Sequence, residues 1–270
     1  MSGPVVGSGA ILFPYVSRML LFAALLLPGV QAAAYTVATT VPGKWGDPLP
    51  GTGASITWSL MPDGPSCAAE DCVDGEIQAL SSFMPDGFKS ELERAFDAWA
   101  AVADLTFTEI ADDGADLDAL TAGGDIRIGG HSFGVARGIL GHAYYPPDNS
   151  FSAAGDIHFN SDLDWSLSLD EPGIYLFSIA VHEIGHSLGL GHTDVPDSIM
   201  NAVHDDDLYG PQFDDIAGIQ YLYGAPVAVP LPGALGLFLL GLGPLAWFGS
   251  AGKPAVSASV TPAAANHAPA

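Results

Sequence analysis

The residues best suited to chemistry are three histidines and a glutamate in the run His182-Glu-Ile-Gly-His-Ser-Leu-Gly-Leu-Gly-His192. On a helix, His182 and His186 are four residues apart and face the same side, where two imidazoles can bind one metal ion. Glu183 is displaced by one position toward the open side of that ion. Gly189 can adopt a positive φ and end the helix, so the chain can return His192 as a third nitrogen ligand.

Three neutral histidines would leave a tetrahedral Zn²⁺ ion with one open position for water, which is typical of catalytic rather than structural zinc sites. Zinc lowers the pKa of bound water toward ~7, and Glu183 can accept the proton of that water as a general base. The alternative is a surface helix whose histidines are only hydrogen-bonded. Because five fixed positions match by chance at a frequency of about 10⁻⁴ or less in a chain of this length, the spacing favours a catalytic site.

The elements that must position this run form one predicted α+β domain over residues 33–225, with no internal repeat. Apolar residues recur at helical spacing in three segments, 88–102, 176–190 and 213–223. Short or alternating apolar runs bounded by turn residues predict strands at 55–60, 105–110, 125–128, 141–145 and 155–160. The first predicted helix would pack on this sheet.

Charge and composition limit the possible classes of function. Seven Lys and Arg against 31 Asp and Glu give a formal net charge of −24, which argues against nucleic acid as a partner. Hydrophobic residues make up 49% of the chain, so it has enough material for a core. Cys67 and Cys72 are five residues apart and could close a local disulfide in an oxidising compartment, the alternative being two free thiols.

Both ends of the chain have the composition of processing signals. An apolar run followed by small residues predicts a signal peptide over residues 1–32, the alternative being a retained N-terminal anchor. Residues 231–248 form an uncharged stretch of 18, so segment 226–250 is predicted to contain a transmembrane or sorting helix. The tail 251–270 is of low complexity and is predicted to be disordered. We therefore expect an exported protein, either membrane-anchored at the cell surface or secreted.

The pattern His-Glu-x-x-His-x-x-Gly-x-x-His resembles the metzincin clan of zinc peptidases, and Met200, eight residues after the last histidine, matches the clan's methionine turn. Segments 88–110 and 214–224 are similar to parts of one metzincin family, the matrixins, which comprise the matrix metalloproteinases and their bacterial relatives. The resemblance implies a twisted mixed sheet with an active-site helix and a C-terminal helix. It also implies that an edge strand binds the substrate as an extended peptide, through Gly138, Leu140, Gly141 and Ala143.

A second, structural zinc is also implied by the resemblance. Its candidate ligands are His131, His142 and His158. The Asp that matrixins place just after the first of these histidines is absent, since Ser132, Phe133 and Gly134 stand there. The three histidines could instead be strand residues that face solvent.

Calcium is implied by the resemblance at fewer positions. Asp125 and Asp156 fall where matrixins bind one Ca²⁺ ion, whereas Leu163 replaces an acid expected at another calcium site. The acids of the loop 111–124 are interpreted as solvated side chains rather than as ligands; they are Asp112, Asp113, Asp116 and Asp118.

The function implied by the resemblance is that of an exported zinc endopeptidase, a monomer that acts on protein or peptide substrates. Segment 229–248 is similar to the C-terminal sorting signals of exported bacterial proteins, so the membrane would be reached through that helix or through a sorting enzyme. Neither cysteine has the position of the latency cysteine of matrixin zymogens, so we expect no latency by that route. The tract after Met200 lacks the family's Pro-x-Tyr, and His204 within it is expected to be exposed, the alternative being a residue of the specificity pocket.

A rival function is a cell-surface metal-binding or adhesion module that has lost turnover. Such a module would keep the histidines but would have no use for Glu183, which is not a ligand. The presence of Glu183 therefore favours the enzyme.

Overall fold

Helices and short strands follow one another in the part of the chain that the computed structural model describes, residues 34–70, 72–120, 123–134, 138–146, 153–205 and 208–227. The strands are β1 (Thr36–Val37), β2 (Ala54–Leu60), β3 (Leu105–Glu109), β4 (Ile126–His131), β5 (Gly141–Ala143), β6 (Ile157–Asn160), β7 (Trp165–Ser166), β8 (Ile174–Tyr175) and β9 (Leu190–Gly191). The helices are α1 (Phe88–Ala100), α2 (Leu176–Ser187) and α3 (Phe213–Tyr223), with 3-10 turns at Ala68–Glu70 and Leu80–Ser82.

The predicted signal peptide and the apolar C-terminal span lie outside the described residues, as does the tail 251–270. Within the described ranges, no helix is long and apolar enough to cross a membrane.

The central sheet has five strands in the order β3-β2-β4-β6-β5. Neighbouring strands run parallel except β5, which pairs antiparallel with β6. The mixed sheet, together with the three helices, confirms the predicted α+β class. β5 forms one edge and is shorter than the predicted segment 141–145.

The main core lies between the sheet and the two helices α1 and α2. Leu92, Ala95, Phe96 and Trp99 form the buried face of α1, at the spacing that predicted this helix. The Trp99 indole donates a hydrogen bond of 3.0 Å to the carbonyl of Val181 in α2. Every residue of α2 except His182 is buried, so this helix is a core element that is open to solvent mainly at His182.

Two helices end earlier than their apolar spacing predicts. α1 ends at Ala100 rather than 102, and α2 ends at Ser187 rather than 190. Gly189 has a φ of +104°, and a Cβ at this position would overlap the carbonyl oxygen of Gly43, so only glycine fits. The chain turns there into β9, which pairs antiparallel with β1. α3 has the predicted bounds.

A disulfide joins Cys67 to Cys72, whose Cα atoms are 5.8 Å apart. The segment that it closes, called the disulfide loop below, contains the 3-10 turn Ala68–Glu70. Cys67 is fully buried in a small second core with Met61 and Ile77. The loop is therefore anchored to the domain, and the side chain of Glu70 within it is only 7% exposed.

The acidic stretch after β3 is not simply solvated, as the sequence analysis supposed. The side chain of Asp112 is 3% exposed and accepts hydrogen bonds of 2.8 and 2.9 Å from Arg127 in β4. Arg127 is itself fully buried. The interpretation is wrong for Asp112 because a buried guanidinium needs an anionic acceptor.

Candidate functional site

Three histidines, His182, His186 and His192, converge beside α2 and are called the first cluster. Nε2 of His192 lies 3.2 Å from Nε2 of His182 and 3.1 Å from Nε2 of His186. Nδ1 of His182 lies 2.6 Å from the Ile199 carbonyl oxygen. Nδ1 of His186 lies 2.7 Å from the Leu190 carbonyl oxygen. Because a carbonyl only accepts, these two Nδ1 atoms carry the proton and the two Nε2 atoms present lone pairs.

The nitrogens of the first cluster fit a Zn²⁺ ion. Tetrahedral zinc with Zn–N bonds of about 2.0–2.1 Å places its ligand atoms ~3.3 Å apart, close to the measured separations. Burial lowers the pKa of His182 to about 4 and that of His186 to about 3, so both rings are neutral near pH 7. Burial also lowers the pKa of His192. The converging lone pairs of neutral rings are stabilised by a cation placed between them.

His192 reaches the first cluster because the chain reverses at Gly189. The reversal leads into β9, whose two residues pair with Thr36 and Val37 of β1. The Thr36 hydroxyl donates a hydrogen bond of 2.6 Å to the His192 carbonyl oxygen. β1 is too short to be predicted from its sequence, yet it holds the third histidine in place.

Met200 packs against α2 at Gly185, in the turn of the helix that carries His182 and His186. It is 2% exposed, and a Cβ on Gly185 would overlap its sulfur atom. The same Cβ would lie 3.0 Å from Cζ2 of Trp99. Gly185, which stands directly before His186, therefore allows the methionine and the tryptophan to pack closely against the helix.

Asp215 in α3 holds the turn that precedes Met200, and the sequence analysis missed it. Its Oδ2 accepts hydrogen bonds of 2.9 Å from the Ile199 amide and 2.8 Å from the Gln212 amide. Its Oδ1 accepts from the Ser198 hydroxyl. The carbonyl of the same residue, Ile199, is the partner of His182. Asp215 therefore positions His182 through the backbone of Ile199. The only sequence signal was an acid at the third position of a helix.

Glu183 is buried beside the first cluster, and one of its carboxylate oxygens lacks a partner. The residue is 5% exposed, and its Oε2 has no hydrogen-bond partner. Burial raises the pKa of Glu183 to about 8, and a nearby dication would act in the opposite direction. Glu183 is not a member of either group of converging ligand atoms in the described residues. A carboxylate that adjoins the ligands without joining them has the position of a general base.

A cleft of about 450 Å³ opens between α2 and β5. It is lined by the first cluster and Glu183, together with the predicted substrate residues Gly138, Leu140, Gly141 and Ala143. A Cβ on Gly141 would lie 3.2 Å from Oε1 of Glu183. The structure thus brings the edge strand and the carboxylate into direct contact.

Alternate residues of β5 direct their backbone groups away from β6. The Leu140 carbonyl accepts from the Asn160 amide at 3.0 Å, and the Tyr144 amide donates to the Asp156 carbonyl at 2.9 Å. In an antiparallel pair, alternate residues bond the partner strand. Residues 140, 142 and 144 therefore face β6, and the N–H and C=O groups of Gly141 and Ala143 are directed to the opposite edge.

His204 lines the cleft and is not exposed as expected. It is half-buried, with Nε2 3.4 Å from the hydroxyl oxygen of Ser178 in α2. The expectation was wrong because the segment after Met200 folds back toward α2 and does not leave the domain.

Three further histidines form a second cluster on neighbouring strands of the sheet, His131 on β4, His142 on β5 and His158 on β6. Nε2 of His131 lies 3.4 Å from Nε2 of His142. His131 is 5% exposed and His158 is 0% exposed, so the alternative that these histidines face solvent is wrong for both. Burial lowers the pKa of His142 to about 4 and also lowers that of His158.

Glu70 of the disulfide loop joins the second cluster. Its Oε1 lies 2.9 Å from Nε2 of His131 and 3.0 Å from Nδ1 of His158. Its Oε2 lies 3.5 Å from Nε2 of His142. Sequence analysis missed Glu70 because no spacing motif relates it to the histidines, and the only signal was an acid between two cysteines.

The two aspartates predicted to bind calcium have protein partners. Oδ2 of Asp125 accepts from the Thr57 amide at 2.8 Å and from the Thr57 hydroxyl at 2.7 Å. Asp156 is fully buried, with Oδ2 3.9 Å from the Arg127 guanidinium. In the described ranges, neither aspartate belongs to a group of converging metal-ligand atoms. The calcium site stays a prediction.

Comparison with known proteins agrees with this geometry. The matrixin family of M10 peptidases matches residues 76–224. Matrix metalloproteinase-2 of Drosophila melanogaster is 38% identical over 151 residues, which cover 52% of this chain and 19% of that protein. Macrophage metalloelastase of Rattus norvegicus is 37% identical over 158 residues, which cover 56% of this chain and 33% of that protein. The hatching enzyme of Paracentrotus lividus is 35% identical over 192 residues, which cover 66% of this chain and 28% of that protein.

The matched part of this chain spans about a fifth to a third of the length of these relatives. The family match includes α1, α2, α3 and both histidine clusters, whereas Glu70 precedes it. It covers more than half of the chain. The chain therefore belongs to the matrixin family of peptidases.

Proposed function

We propose that this chain is a zinc-dependent endopeptidase that hydrolyses peptide bonds in protein or peptide substrates. The observation that carries the proposal is the Glu183 carboxylate, buried with one oxygen unpartnered, beside the converging nitrogens of the first cluster in an open cleft. Burying an unpartnered carboxylate is unfavourable for folding, so such a group is typical of a functional site.

In this proposal His182, His186 and His192 would hold Zn²⁺, which would act as a Lewis acid toward the scissile carbonyl and would lower the pKa of bound water. Glu183 takes the proton of the attacking water and then delivers it to the leaving amine, acting first as base and then as acid. Burial of Glu183 keeps bulk water from competing for that proton. The carbonyls of Ile199 and Leu190 hold His182 and His186 in the tautomer that leaves Nε2 free.

The substrate in this proposal adds as a strand along the free edge of β5. The N–H and C=O groups of Gly141 and Ala143 hydrogen-bond its backbone, which selects an extended peptide with little regard for side chains. Because Gly141 has no side chain, the peptide can lie within reach of Glu183. Preference among peptides then depends on the far wall of the cleft, where His204 and Asn201 lie.

The second candidate function is a cell-surface metal-binding or adhesion module without turnover. It requires the histidines but gains nothing from Glu183, whose burial without a partner is a cost. The cleft beside the free edge of β5 also suits a bound peptide better than a bare ion.

The test is hydrolysis of a peptide library by the full-length protein, read by mass spectrometry. Glu183→Gln should keep its zinc while hydrolysis falls by at least ~10². The matched control is Glu93→Gln on the exposed side of α1, where the Glu93 side chain is 52% exposed, and it should keep wild-type activity. Wild-type turnover in Glu183→Gln contradicts the assignment. A zinc-loaded wild type without hydrolysis favours the binding module.

We further propose that the protein is an exported monomer, held at the cell surface by the apolar segment within 226–250 or released from it. This proposal rests on the composition of residues 1–32 and 226–250. Deleting 229–270 should release active protein into the medium. A full-length form already soluble with its C-terminal peptide intact contradicts the anchor, and a soluble form without that peptide indicates removal by a sorting enzyme.

Calcium is part of the proposal at Asp125 and Asp156. Its test is the melting temperature of the wild type and of Asp125→Asn with and without added Ca²⁺. Equal responses of both proteins to calcium contradict this site.

A further inference from the structure

The ligand atoms of the second cluster and Glu70 have the separations of a tetrahedral metal site. Four residues contribute one atom each, all within 4.8 Å of one another. With Oε1 as the ligand atom of Glu70, the closest separations, from 2.9 to 3.4 Å, lie around the ~3.3 Å expected for tetrahedral zinc with nitrogen and oxygen ligands. The first cluster shows the same separations, so the two sites are geometrically alike.

Hydrogen bonds within the protein account for the contacts of Oε2 of Glu70 but not for the approach of His131 to Oε1. Nδ1 of His131 lies 3.1 Å from the Ser132 carbonyl oxygen and donates to it, so in the neutral ring Nε2 presents a lone pair. That lone pair faces Oε1 of Glu70 at 2.9 Å, and two acceptors cannot bond each other. Oε1 of Glu70 is itself buried without a hydrogen-bond partner, and Nδ1 of His158 faces it at 3.0 Å. A cation between these atoms would resolve the conflict.

We propose that Glu70 is the fourth ligand of a second zinc ion bound by the second cluster, and that the disulfide of the loop holds Glu70 in this position. The family resemblance supplies an Asp directly after His131 for this role, and Ser132 stands there instead. Glu70 comes from a segment that precedes the family match. Glu70 of the disulfide loop thus provides the carboxylate that is absent at Ser132. The inference concerns a structural ion and does not depend on the proposed peptidase activity.

The disulfide loop is suited to hold a ligand. The Glu70 amide donates to the Cys67 carbonyl at 3.1 Å, which closes the 3-10 turn inside the loop. The Tyr144 hydroxyl donates to Oε2 of Glu70 at 2.8 Å and orients the carboxylate. A ligand on an unconstrained loop would lose more conformational entropy on binding, because a free loop samples many backbone states. The cross-link removes part of that loss before the ion binds.

The second site adjoins a cavity that shares two lining residues with the cleft. A cavity of about 290 Å³ is lined by Glu70, Cys72, His131 and His142, and it gives ions a path to the site. His142 and Ile139 line both this cavity and the cleft. An ion bound here would therefore tie the disulfide loop to β5, the proposed substrate-binding edge.

The test is the zinc content of the full-length protein, purified without chelator and measured by mass spectrometry of the metal. The wild type should contain about two zinc ions per chain, and Glu70→Ala about one, because three neutral ligands without the carboxylate bind less tightly. The matched control is Glu76→Ala, which changes an exposed acid six positions further along and should keep both ions. Cobalt substitution gives an independent readout, since the visible spectrum of the second ion should change in Glu70→Ala alone.

The disulfide is tested with a variant carrying Cys67→Ser and Cys72→Ser. We expect it to fold with the first site filled and to release the second ion at a chelator concentration at least ~10-fold lower than the wild type. A wild type with one zinc, or Glu70→Ala with two, overturns the ligand assignment. A serine variant that retains the second ion as tightly as the wild type overturns the role of the disulfide. Glu183→Gln should lose hydrolysis but keep two zinc ions. The zinc content therefore tests the second site independently of the proposed peptidase activity.

Discussion

Asp215→Asn is expected to weaken both the fold and the first cluster, because one carboxylate connects α3 to the turn that holds His182. Oδ2 of Asp215 accepts from the Ile199 and Gln212 amides, and Asp215 is 1% exposed. An asparagine nitrogen at this position would point a donor at two donors, and the Ile199 amide is buried away from water. Rotating the amide transfers the conflict to the Met200 amide at 3.3 Å.

The size of the effect follows from the lost bonds. A hydrogen bond to a charged acceptor contributes about 1.5–3 kcal/mol, so losing two weakens the domain by about 3 kcal/mol or more. For a domain of this size, each 1 kcal/mol lowers the melting temperature by roughly 2–4 °C, which gives a decrease of about 6–12 °C. Zinc affinity should fall as well, since the carbonyl of Ile199 orients His182.

The assay is thermal unfolding followed by circular dichroism, together with titration of zinc against a chelator of known affinity. The matched control is Asp97→Asn on α1, where the acid is exposed, and it should change stability by less than about 0.5 kcal/mol. A decrease in melting temperature below ~2 °C for Asp215→Asn would refute the reasoning. A large decrease with unchanged zinc affinity would show that the turn stabilises the fold without positioning His182.

Three other outcomes are expected. Gly189→Ala should destabilise the domain by about 1–3 kcal/mol and weaken zinc binding, because φ is +104° and the new Cβ overlaps Gly43; a melting temperature equal to that of the wild type contradicts this. In metal-free protein, burial lowers the pKa of His182 to about 4 and that of His186 to about 3 in the folded state. Because a histidine of the unfolded chain has a pKa of ~6.5, the free energy of unfolding should be highest above pH ~6.5 and should decrease as pH falls toward about 3–4. The measurement uses metal-free Glu183→Gln, because the raised pKa of Glu183 would add an opposite pH dependence, and flat stability of that variant between pH 7 and 4 contradicts the prediction. Peptides N-methylated at the backbone positions that pair with Ala143 should be cleaved at least ~10-fold more slowly than unmodified ones, and equal rates contradict binding along β5.

The first cluster was predictable because its information is local. Two histidines one helical turn apart, a glutamate between them and a glycine that must end the helix lie within a single run, and the structure brings these residues together as expected. The amphipathic segments that became α1 and α3 were predictable for the same reason, since their spacing reports a single buried face.

The residues that sequence analysis missed act across long separations. Glu70 contacts His131 and His158 only because the disulfide loop folds over the end of the sheet. Asp112 was interpreted as solvated because its partner, Arg127, is on another strand. Neither contact leaves a periodic pattern, since ion pairs between distant segments depend on tertiary packing and not on spacing along the chain.

The pairing of β1 with β9 has a consequence for the order of folding. The Thr36 hydroxyl and the His192 carbonyl that it binds are 156 residues apart in sequence. Closing so long a segment is entropically costly, so contacts of this kind form late and slow the folding of a domain. His182 and His186, by contrast, are arranged as soon as one helix forms. We expect a refolding chain to bind zinc first through this histidine pair, weakly, and to gain full affinity only when the N-terminal strand pairs with β9. Stopped-flow refolding with a zinc-sensitive dye should then show two phases of zinc binding. The slower phase should be absent from a variant that lacks residues 34–37.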